Sequence, residues 1–284
     1  MRPEPTKRPR IPVRGAALGV ALASALALVG CTGPGQRPAG GGRFVVGIKF
    51  DQPGLGLRTG SRYSGLDVAV ATYVAEQLGH QPSDITWVQA PSAQRETLIT
   101  TGQVDIVVAT YSITDQRKEK VSFAGPYFVA GQDLLVRSDD TSITGPDTLT
   151  GKTLCSVTGS TSAQKVLEKY PGVQLQEFGT YSQCVAALVS SNVDAVTTDN
   201  AILAGYAAQP AYKGKVRVVG KTFSVERYGI GLRKGNVKTC EKITAAITKM
   251  IASGAWEKAV EANLAPSGIT VDRASNPPKQ DPCS

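Results

Sequence analysis

Two stretches of the chain, GQVDIVVAT at residues 102–110 and SNVDAVTTD at residues 191–199, share one pattern. Each follows an apolar helical segment, runs from Val-Asp into a strand, and ends in polar residues. Ligands of open α/β sheets bind at the carboxyl ends of the strands, which is where these polar residues stand. The pair therefore predicts two similar α/β lobes, each of which contributes a strand end to one small-molecule site.

Around both stretches, β-rich segments alternate with helical ones, which is typical of mostly parallel sheets covered by helices. The strands and helices predicted for the first unit occupy residues 43–50, 65–79, 84–90, 92–102 and 104–110. Those predicted for the second unit occupy residues 152–159, 160–170, 173–179, 181–191 and 193–200. Two late helices are predicted at 239–254 and 255–264. The chain of 284 residues is long enough for two lobes with separate cores.

The lobe boundaries are predicted where this alternation breaks. One polar, turn-rich connector covers residues 138–151, and a second covers residues 220–236. If the chain crosses near residue 137 and returns near residue 224, the late helices belong to the first lobe and the two crossings form a hinge. The predicted bounds are 43–137 with 224–284 for the first lobe and 138–223 for the second.

The first 30 residues have the layout of a secretory signal peptide. Five Lys or Arg side chains and one Glu precede the apolar run GAALGVALASALALVG, which ends at a Gly-Cys pair and is not expected to remain in the membrane. The sequence LVGC at 28–31 resembles a bacterial lipobox, in which Cys31 becomes the lipidated, palmitate-bearing first residue. An ordinary secretory signal with a chance cysteine is the alternative. Residues 31–42 are then a flexible Gly/Pro tether.

Composition disfavours several classes of function. The formal net charge of +8 falls to +4 without the leader, which does not favour nucleic-acid binding. No C-x-x-C motif occurs and His80 is the one histidine, so we predict neither a metal site nor a cofactor. His80 follows a predicted helix end, away from the strand ends, and this placement disfavours a histidine-dependent catalytic triad.

The four cysteines that remain after Cys31 allow three pairings. An exported chain is in a compartment where disulfides persist. We predict that Cys155 pairs with Cys184, in the same lobe, and that Cys240 pairs with Cys283. The second disulfide would attach a C-terminal segment that has little apolar content and would otherwise be loosely held.

The first strand end leads into a cluster of hydroxyl groups and an arginine. Ser112, Thr114 and Arg117 lie within one short turn before a possible helix, and helix N-termini attract anions. A guanidinium group binds a carboxylate through two parallel hydrogen bonds. The cluster therefore predicts a carboxylate site. In the alternative interpretation, Thr114 caps the helix and Arg117 is a solvated surface residue.

The second lobe offers a similar turn and a carboxylate. Gly159 permits close backbone approach, and Ser160 and Thr161 open a helix, although a plain capping loop has the same composition. Asp199 ends the strand that matches the first stretch, and a buried aspartate without a partner is unfavourable. An arginine for a carboxylate and an aspartate for an ammonium group together describe an α-amino acid.

These motifs resemble those of solute-binding proteins of family 3, the amino-acid-binding subunits of ABC importers, and most of all the glutamate-binding lipoproteins among them. The resemblance covers about residues 43–264. It rests on GIKFDQPGLGLR, SGLDVAVA, PSAQRETLI, VDIVVATYSITDQRK, SFAGPYFV, CSVTGSTSAQKV, PGVQLQEF and YGIGLRK. It implies a periplasmic-binding-protein-like fold of type II, in which two α/β lobes joined by a two-crossing hinge enclose the ligand cleft.

The resemblance also implies roles for single residues. The position that matches Arg117 holds the ligand α-carboxylate, with help from the positions that match Thr110, Ser112 and Thr161. The position that matches Asp199 holds the α-ammonium group. These roles agree with the α-amino acid that the two strand ends describe.

The side-chain end of the ligand has its own candidates. For acidic ligands the family adds basic side chains at positions that match Lys49 and Arg95, although either could instead be a surface charge. Two cations there favour glutamate or aspartate over glutamine, because an amide would leave them unpaired. Ser92 and Tyr181 are further candidates. Many members place an aromatic ring in the loop after the first strand; this loop has none, so Tyr111 is the candidate for that contact unless its ring faces outward.

The function implied is that of a monomeric substrate-binding lipoprotein on the outer face of the cytoplasmic membrane, which binds glutamate, with aspartate and glutamine as alternative ligands. Ligand closes the hinge, and a membrane permease with its ATPase recognises the closed form. Two alternatives use the same pocket. A periplasmic dehydratase-like enzyme would need an acid or base in the cleft, whereas an amino-acid sensor lipoprotein would need only the binding site.

Overall fold

Two five-stranded sheets, each packed against helices, organise the part of the chain that the structure describes, residues 42–283 of a computed structural model. A third, smaller sheet has three strands. None of the helices within these residues is long and apolar enough to cross a membrane. The predicted signal peptide and Cys31 lie outside the described residues, as does the tether apart from its last residue.

The elements follow one another in the alternating order that the sequence predicts. Before the first crossing they are β1 (Phe44–Ile48), β2 (Asp51–Gln52), β3 (Gly56–Thr59), β4 (Arg62–Ser64), α1 (Leu66–Gln77), β5 (Ile85–Gln89), α2 (Arg95–Thr100), β6 (Ile106–Val107), α3 (Asp115–Lys118) and β7 (Val121–Ala130). The second lobe contains β8 (Gln132–Arg137), β9 (Thr153–Val157), α4 (Thr161–Lys169), β10 (Gln174–Phe178), α5 (Tyr181–Val189), β11 (Ala195–Asp199), α6 (Asn200–Ala207) and β12 (Val216–Val218). After the return crossing come β13 (Glu226–Arg233), α7 (Val237–Ala252) and α8 (Ala255–Leu264).

The two large sheets have the same arrangement, which confirms the prediction of two similar lobes. The first has the order β5-β1-β6-β13-β7, with β1 parallel to β5 and β6 and with β13 antiparallel to β6 and β7. The second has the order β10-β9-β11-β8-β12, with β9 parallel to β10 and β11 and with β8 antiparallel to β11 and β12. The strands β6 and β11 therefore occupy equivalent places.

The repeated Val-Asp pair has the same structural role in both lobes. The carboxylate of Asp105 accepts a hydrogen bond from the N–H of Val45 at 2.7 Å, at the start of β1. The carboxylate of Asp194 accepts one from the N–H of Thr153 at 2.8 Å, at the start of β9. Each aspartate satisfies an N–H donor at the start of the neighbouring parallel strand, so the repeated Val-Asp pair reflects a repeated way of fixing strand register.

The first crossing lies earlier than the sequence predicts. The sequence predicts the crossing near residue 137, where the polar connector begins. The structure bends the chain at Gly131, and β8 pairs with strands of the second sheet. A Cβ atom on Gly131 would lie 2.9 Å from the carbonyl oxygen of Ser224, so the two crossings run side by side.

Both predicted disulfides are present. Cys155–Cys184 joins β9 to α5, and Cys240–Cys283 joins α7 to the C-terminal segment. That segment has further anchors, since the side-chain amide of Asn276 both accepts from and donates to the backbone of β7. The C-terminal segment is therefore held by hydrogen bonds to the first lobe as well as by its disulfide.

The segment after β1 is not the simple loop that the sequence predicts. Residues 51–64 form the three-stranded antiparallel sheet β2-β3-β4. Its first turn ends against α1, where the N–H of Leu66 donates to the carbonyl oxygen of Gly54 at 3.0 Å. This packing fixes the turn at residues 52–55, hereafter the first-lobe corner.

Candidate functional site

The polar ends of β6 and β11 line one cavity between the two lobes. All predicted ligand-binding residues except Lys49 and Thr114 line it. The complete lining consists of Ser92, Arg95, Thr110, Ser112 and Arg117 from the first lobe and Ser160, Thr161, Ser162, Tyr181, Thr198, Asp199 and Ile202 from the second.

Thr110 turns the chain out of β6 at the edge of this cavity. Its φ of 46° is in the left-handed region, which is uncommon for threonine. Its N–H donates to Asp67 Oδ2 at 3.0 Å, and its hydroxyl lies 3.1 Å from Gln52 Oε1. The other carboxylate oxygen of Asp67 accepts from the Tyr127 hydroxyl at 2.6 Å. Buried partners thus hold the strained turn in place, which is common at binding sites.

Arg117 links the two lobes. Its guanidinium donates to the carbonyl oxygen of Ser112 at 2.8 Å and to that of Gly159, in the second lobe, at 3.1 Å. Its Nε atom lies 3.6 Å from Glu96 Oε1. Thr114 accepts from the N–H of Arg117 at 3.2 Å and caps α3 outside the cavity lining. The alternative interpretation was therefore correct for Thr114 and wrong for Arg117, which is buried.

Arg95 is a second buried guanidinium in the first-lobe wall. It donates to the carbonyl oxygen of Thr110 at 3.4 Å, and also to that of the preceding residue at 3.1 Å. Its Nε atom is buried and has no hydrogen-bond partner within residues 42–283. Burial, followed by the nearby charge of Arg117, lowers the pKa of Arg95 to about 10. An anion in the cavity would satisfy the Nε atom and offset the repulsion between the two guanidinium groups.

Tyr111 neither lines the cavity nor faces outward. Its ring is fully buried, and the guanidinium carbon of Arg95 lies 4.2 Å from the ring centroid. Its hydroxyl donates to Glu96 Oε1 at 2.7 Å. Tyr111 therefore supports the two arginines from behind, and the expectation that it would stack on a ligand is wrong.

Lys49 lies beside the cavity. The residue is 5% exposed, and its Nζ atom donates to Ser92 Oγ at 2.8 Å. It borders a neighbouring space together with Tyr181, which lines both spaces. Burial, followed by repulsion from Arg95, lowers the pKa of Lys49. The ammonium group thus stands at one end of the cavity, where a longer ligand could reach it.

Asp199 is the acidic group of the second-lobe wall. Its Oδ2 atom accepts from the Tyr228 hydroxyl at 2.6 Å, whereas its buried Oδ1 atom has no hydrogen-bond partner in the described chain. Burial, followed by the charge of Glu226, raises the pKa of Asp199 to about 7. A cationic donor in the cavity would satisfy Oδ1 and favour the ionised form of the group.

The N-terminus of α4 completes this wall. Ser160 accepts from the N–H of Ala163 at 3.0 Å, so it both caps the helix and lines the cavity. The Thr161 hydroxyl donates to Glu226 Oε2 at 3.0 Å, and Lys165 forms an ion pair with the same carboxylate. Because Glu226 begins β13 after the return crossing, this network ties α4 to the hinge.

Comparison with known proteins agrees with the cavity and the two-lobed fold. The model of the family described as bacterial extracellular solute-binding proteins, family 3, matches residues 44–265. The chain belongs to this family. It thereby has a substrate-binding role.

Relatives and solved structures support the same assignment. Glutamate-binding protein GluB of Corynebacterium glutamicum is 47% identical over 280 residues, which cover 92% of this chain and 93% of that protein. The glutamine-binding protein of Geobacillus stearothermophilus is 37% identical over 207 residues, or 72% of this chain and 77% of that protein. An ancestral arginine-binding protein bound to arginine has 35% identity and a TM-score of 0.73, covering 78% of this chain and 98% of that one. The type II fold is confirmed, and the chain is a binding protein rather than an enzyme.

Sequence reasoning missed three residues that line the cavity. Ser162 and Thr198 stand next to predicted residues, in the runs STS and TTD, and an inventory of hydroxyl groups at the strand ends could have included them. Ile202 gave no usable signal, because an isoleucine in α6 has the pattern of an ordinary core residue.

Proposed function

We propose that the protein binds an acidic α-amino acid, glutamate first, and delivers it to a membrane permease after the lobes close. The observation that carries this proposal is the opposition of charges across one cavity. Arg117 stands on the first-lobe wall, and Asp199, with an oxygen that has no donor in the described residues, stands on the second.

The α-amino and α-carboxylate groups would be held by opposite walls. Arg117 would bind the α-carboxylate as a bidentate partner, helped by Ser112 and by the backbone N–H of Thr161. Thr110, whose own donors are engaged within the first lobe, would shape the turn beside the carboxylate. Asp199 Oδ1 would accept the α-ammonium group. A ligand bound in this way contacts both lobes only when they are closed, so its binding energy favours closure.

The preference for an acidic side chain would come from Arg95 and Lys49. Both are buried cations in the first lobe, and Arg95 Nε lacks a partner among residues 42–283. A distal carboxylate would satisfy them, whereas an amide would leave charge unpaired. The name of the Corynebacterium relative, a glutamate-binding protein, agrees with this assignment. Ser92 would orient Lys49 through their hydrogen bond.

The N-terminal sequence extends the proposal to a lipid-anchored, monomeric importer subunit. Residues 1–30 would be removed as a signal peptide, Cys31 would carry the lipid, and residues 31–42 would be the tether to the outer face of the cytoplasmic membrane. The closed lobes would then meet a permease and its ATPase. Mass spectrometry of the membrane-extracted protein tests the anchor, because a Cys31→Ser variant should lose the lipid mass and appear in the medium.

Calorimetric titration tests the ligand. Protein freed of bound ligand by unfolding and refolding is titrated with glutamate, aspartate, glutamine and arginine. We expect tight binding of glutamate and weaker binding of glutamine. Tight binding of arginine without binding of glutamate would overturn the proposed selectivity. No detectable binding of any of the four would overturn the cavity assignment.

A further inference from the structure

A second set of contacts joins the lobes beside the cavity. Asp51, in β2 of the first lobe, accepts a hydrogen bond from the N–H of Ser182 in α5 at 3.1 Å. Its carboxylate lies 3.0 Å from the hydroxyl of Tyr206 in α6, and its carbonyl oxygen accepts from the same hydroxyl. These hydrogen bonds connect one residue of the first lobe to two helices of the second.

The neighbouring residues of α6 approach the first lobe even more closely. A Cβ atom on Gly205 would lie 2.2 Å from the carbonyl oxygen of Pro53, a separation that real Cβ contacts essentially never show. The helix backbone therefore packs directly on the first-lobe corner, and only glycine fits at this position while the lobes are in this arrangement.

The first-lobe corner is held in place on the side away from α6. The carbonyl oxygens of Gly54 and Leu55 accept from the first two N–H groups of α1, those of Leu66 and Asp67, at 3.0 Å each. On its other side, a Cβ atom on Gly65 would lie 2.0 Å from the Leu55 oxygen. A larger side chain at position 205 would thus push the lobes apart rather than move the corner.

We propose that Asp51, Gly205 and Tyr206 form a latch that stabilises the closed lobes without any ligand, and so sets the affinity for every ligand by a common factor. The proposal rests on the hinge closure of the proposed function. When only the closed form holds ligand tightly, the apparent affinity is scaled by the fraction of protein that can close. None of the latch residues lines the cavity that contains Arg117 and Asp199. Asp51 borders the neighbouring space together with Lys49, whereas Gly205 and Tyr206 border neither space. Changes at Gly205 and Tyr206 should therefore alter the strength of binding and leave its selectivity unchanged.

The Gly205→Ala variant tests the latch, with Gly145→Ala as the matched control. Alanine is favoured over glycine inside a helix, so α6 should be at least as stable in the variant. Gly145 also lies in the second lobe, has an extended backbone, and has only the end of the Lys221 side chain near an added Cβ, at 3.6 Å. We expect Gly205→Ala to weaken glutamate and glutamine binding by the same factor, about tenfold or more. Tyr206→Phe should cause a smaller equal loss, and the control none.

Small-angle X-ray scattering supplies a readout that does not depend on the ligand. The ligand-free Gly205→Ala variant should have a larger radius of gyration than the wild type and than the Gly145→Ala control. Equal radii would overturn the latch, as would unequal losses for glutamate and glutamine. If the wild type binds none of the amino acids while the radii differ as expected, the proposed ligand fails and the latch stands.

Discussion

The two walls of the cavity differ in the charge of the groups that they leave without a hydrogen-bond partner in the described chain. On the first-lobe wall, the Thr110 turn is held by Asp67 and Gln52, and Arg95 Nε is the one buried side-chain atom of the lining without a partner in the described chain. On the second, Asp199 Oδ1 and Ser162 Oγ are both buried without partners there. Each wall thus leaves a charged group with a buried atom unpaired, a cation on the first wall and an acid on the second, and a ligand with both charges would pair them.

The largest expected effect comes from breaking the first wall at Arg117. Removing one partner of a buried charge pair costs about 2–5 kcal/mol. We therefore expect Arg117→Ala to weaken binding of every α-amino acid by about a hundredfold or more, as measured by titration calorimetry. Lys118→Ala, at the partly exposed neighbouring position, is the control and should bind normally. Retention of glutamate binding by Arg117→Ala would refute the carboxylate assignment.

The next effect comes from the second wall. Asp199→Asn should weaken binding of all α-amino acids by about tenfold to a hundredfold, because the amide loses the charge that pairs with the ammonium group. The exposed Asp139→Asn variant removes the same formal charge far from any predicted contact and should bind normally. An equal loss in the two variants would show that net charge, rather than the position of Asp199, governs binding.

Stability should move in the opposite direction to binding in the same Asp199→Asn variant. The pKa of Asp199 is raised from its ordinary value to about 7, so the ligand-free fold favours the protonated group. Its contribution to stability is then present at low pH and is lost as the pH rises through about 7. Asparagine does not ionise, so the variant should gain stability over the wild type between about pH 5 and pH 8. Denaturant titrations at pH 5 and pH 8 measure the free energy of unfolding of the variant and of the wild type. A difference between the two proteins that is the same at both pH values would contradict the raised pKa.

Within the first lobe, Lys49 and Arg95 should determine the preference for glutamate over glutamine. Lys49→Met removes the ammonium group and keeps an unbranched side chain as long as the lysine stem, so it should weaken glutamate binding about tenfold and change glutamine binding little. Arg95 also holds the carbonyl oxygen of Thr110, so Arg95→Ala should reduce the preference for glutamate and lower overall affinity as well. Equal losses of glutamate and glutamine in the Lys49 variant would remove it from the selectivity site.

The smallest effect is expected at Thr114. Its hydroxyl caps α3 and does not line the cavity, so Thr114→Ala should cost about 1 kcal/mol of stability and leave the ratio of glutamate to glutamine affinity unchanged. Thr114→Ser, which keeps the capping oxygen, is the control. A changed ratio in the alanine variant would place Thr114 in the site after all.

The sequence could predict the parts of this site that local patterns record. Strand ends and helix starts are visible in runs such as TYSITDQRK and SVTGSTS. The disulfide Cys155–Cys184 followed from placing both cysteines in one lobe, and Cys240–Cys283 followed from the need to attach the C-terminal segment. The crossing was misplaced because the polar connector at 138–151 is the longer break in the pattern, whereas the bend at Gly131 depends on packing against the return segment.

Other features arise only when distant segments meet. Glu226 reaches Thr161 across the hinge, and Asp67 reaches Thr110 from another helix, so neither has a local signature. Gly205 is the clearest case, because a glycine inside a helix looks only like a weak helix position. The need for glycine is evident only in the structure, where the carbonyl oxygen of Pro53 leaves no room for a Cβ atom.

The central claim is that one acidic amino acid bridges the two walls. A crystal structure of the protein with bound glutamate tests this most directly. The account predicts the α-carboxylate on Arg117, the α-ammonium group on Asp199 Oδ1, and the distal carboxylate between Arg95 and Lys49. A glutamate bound in the reverse orientation, or one with its ammonium group away from Asp199, would contradict it.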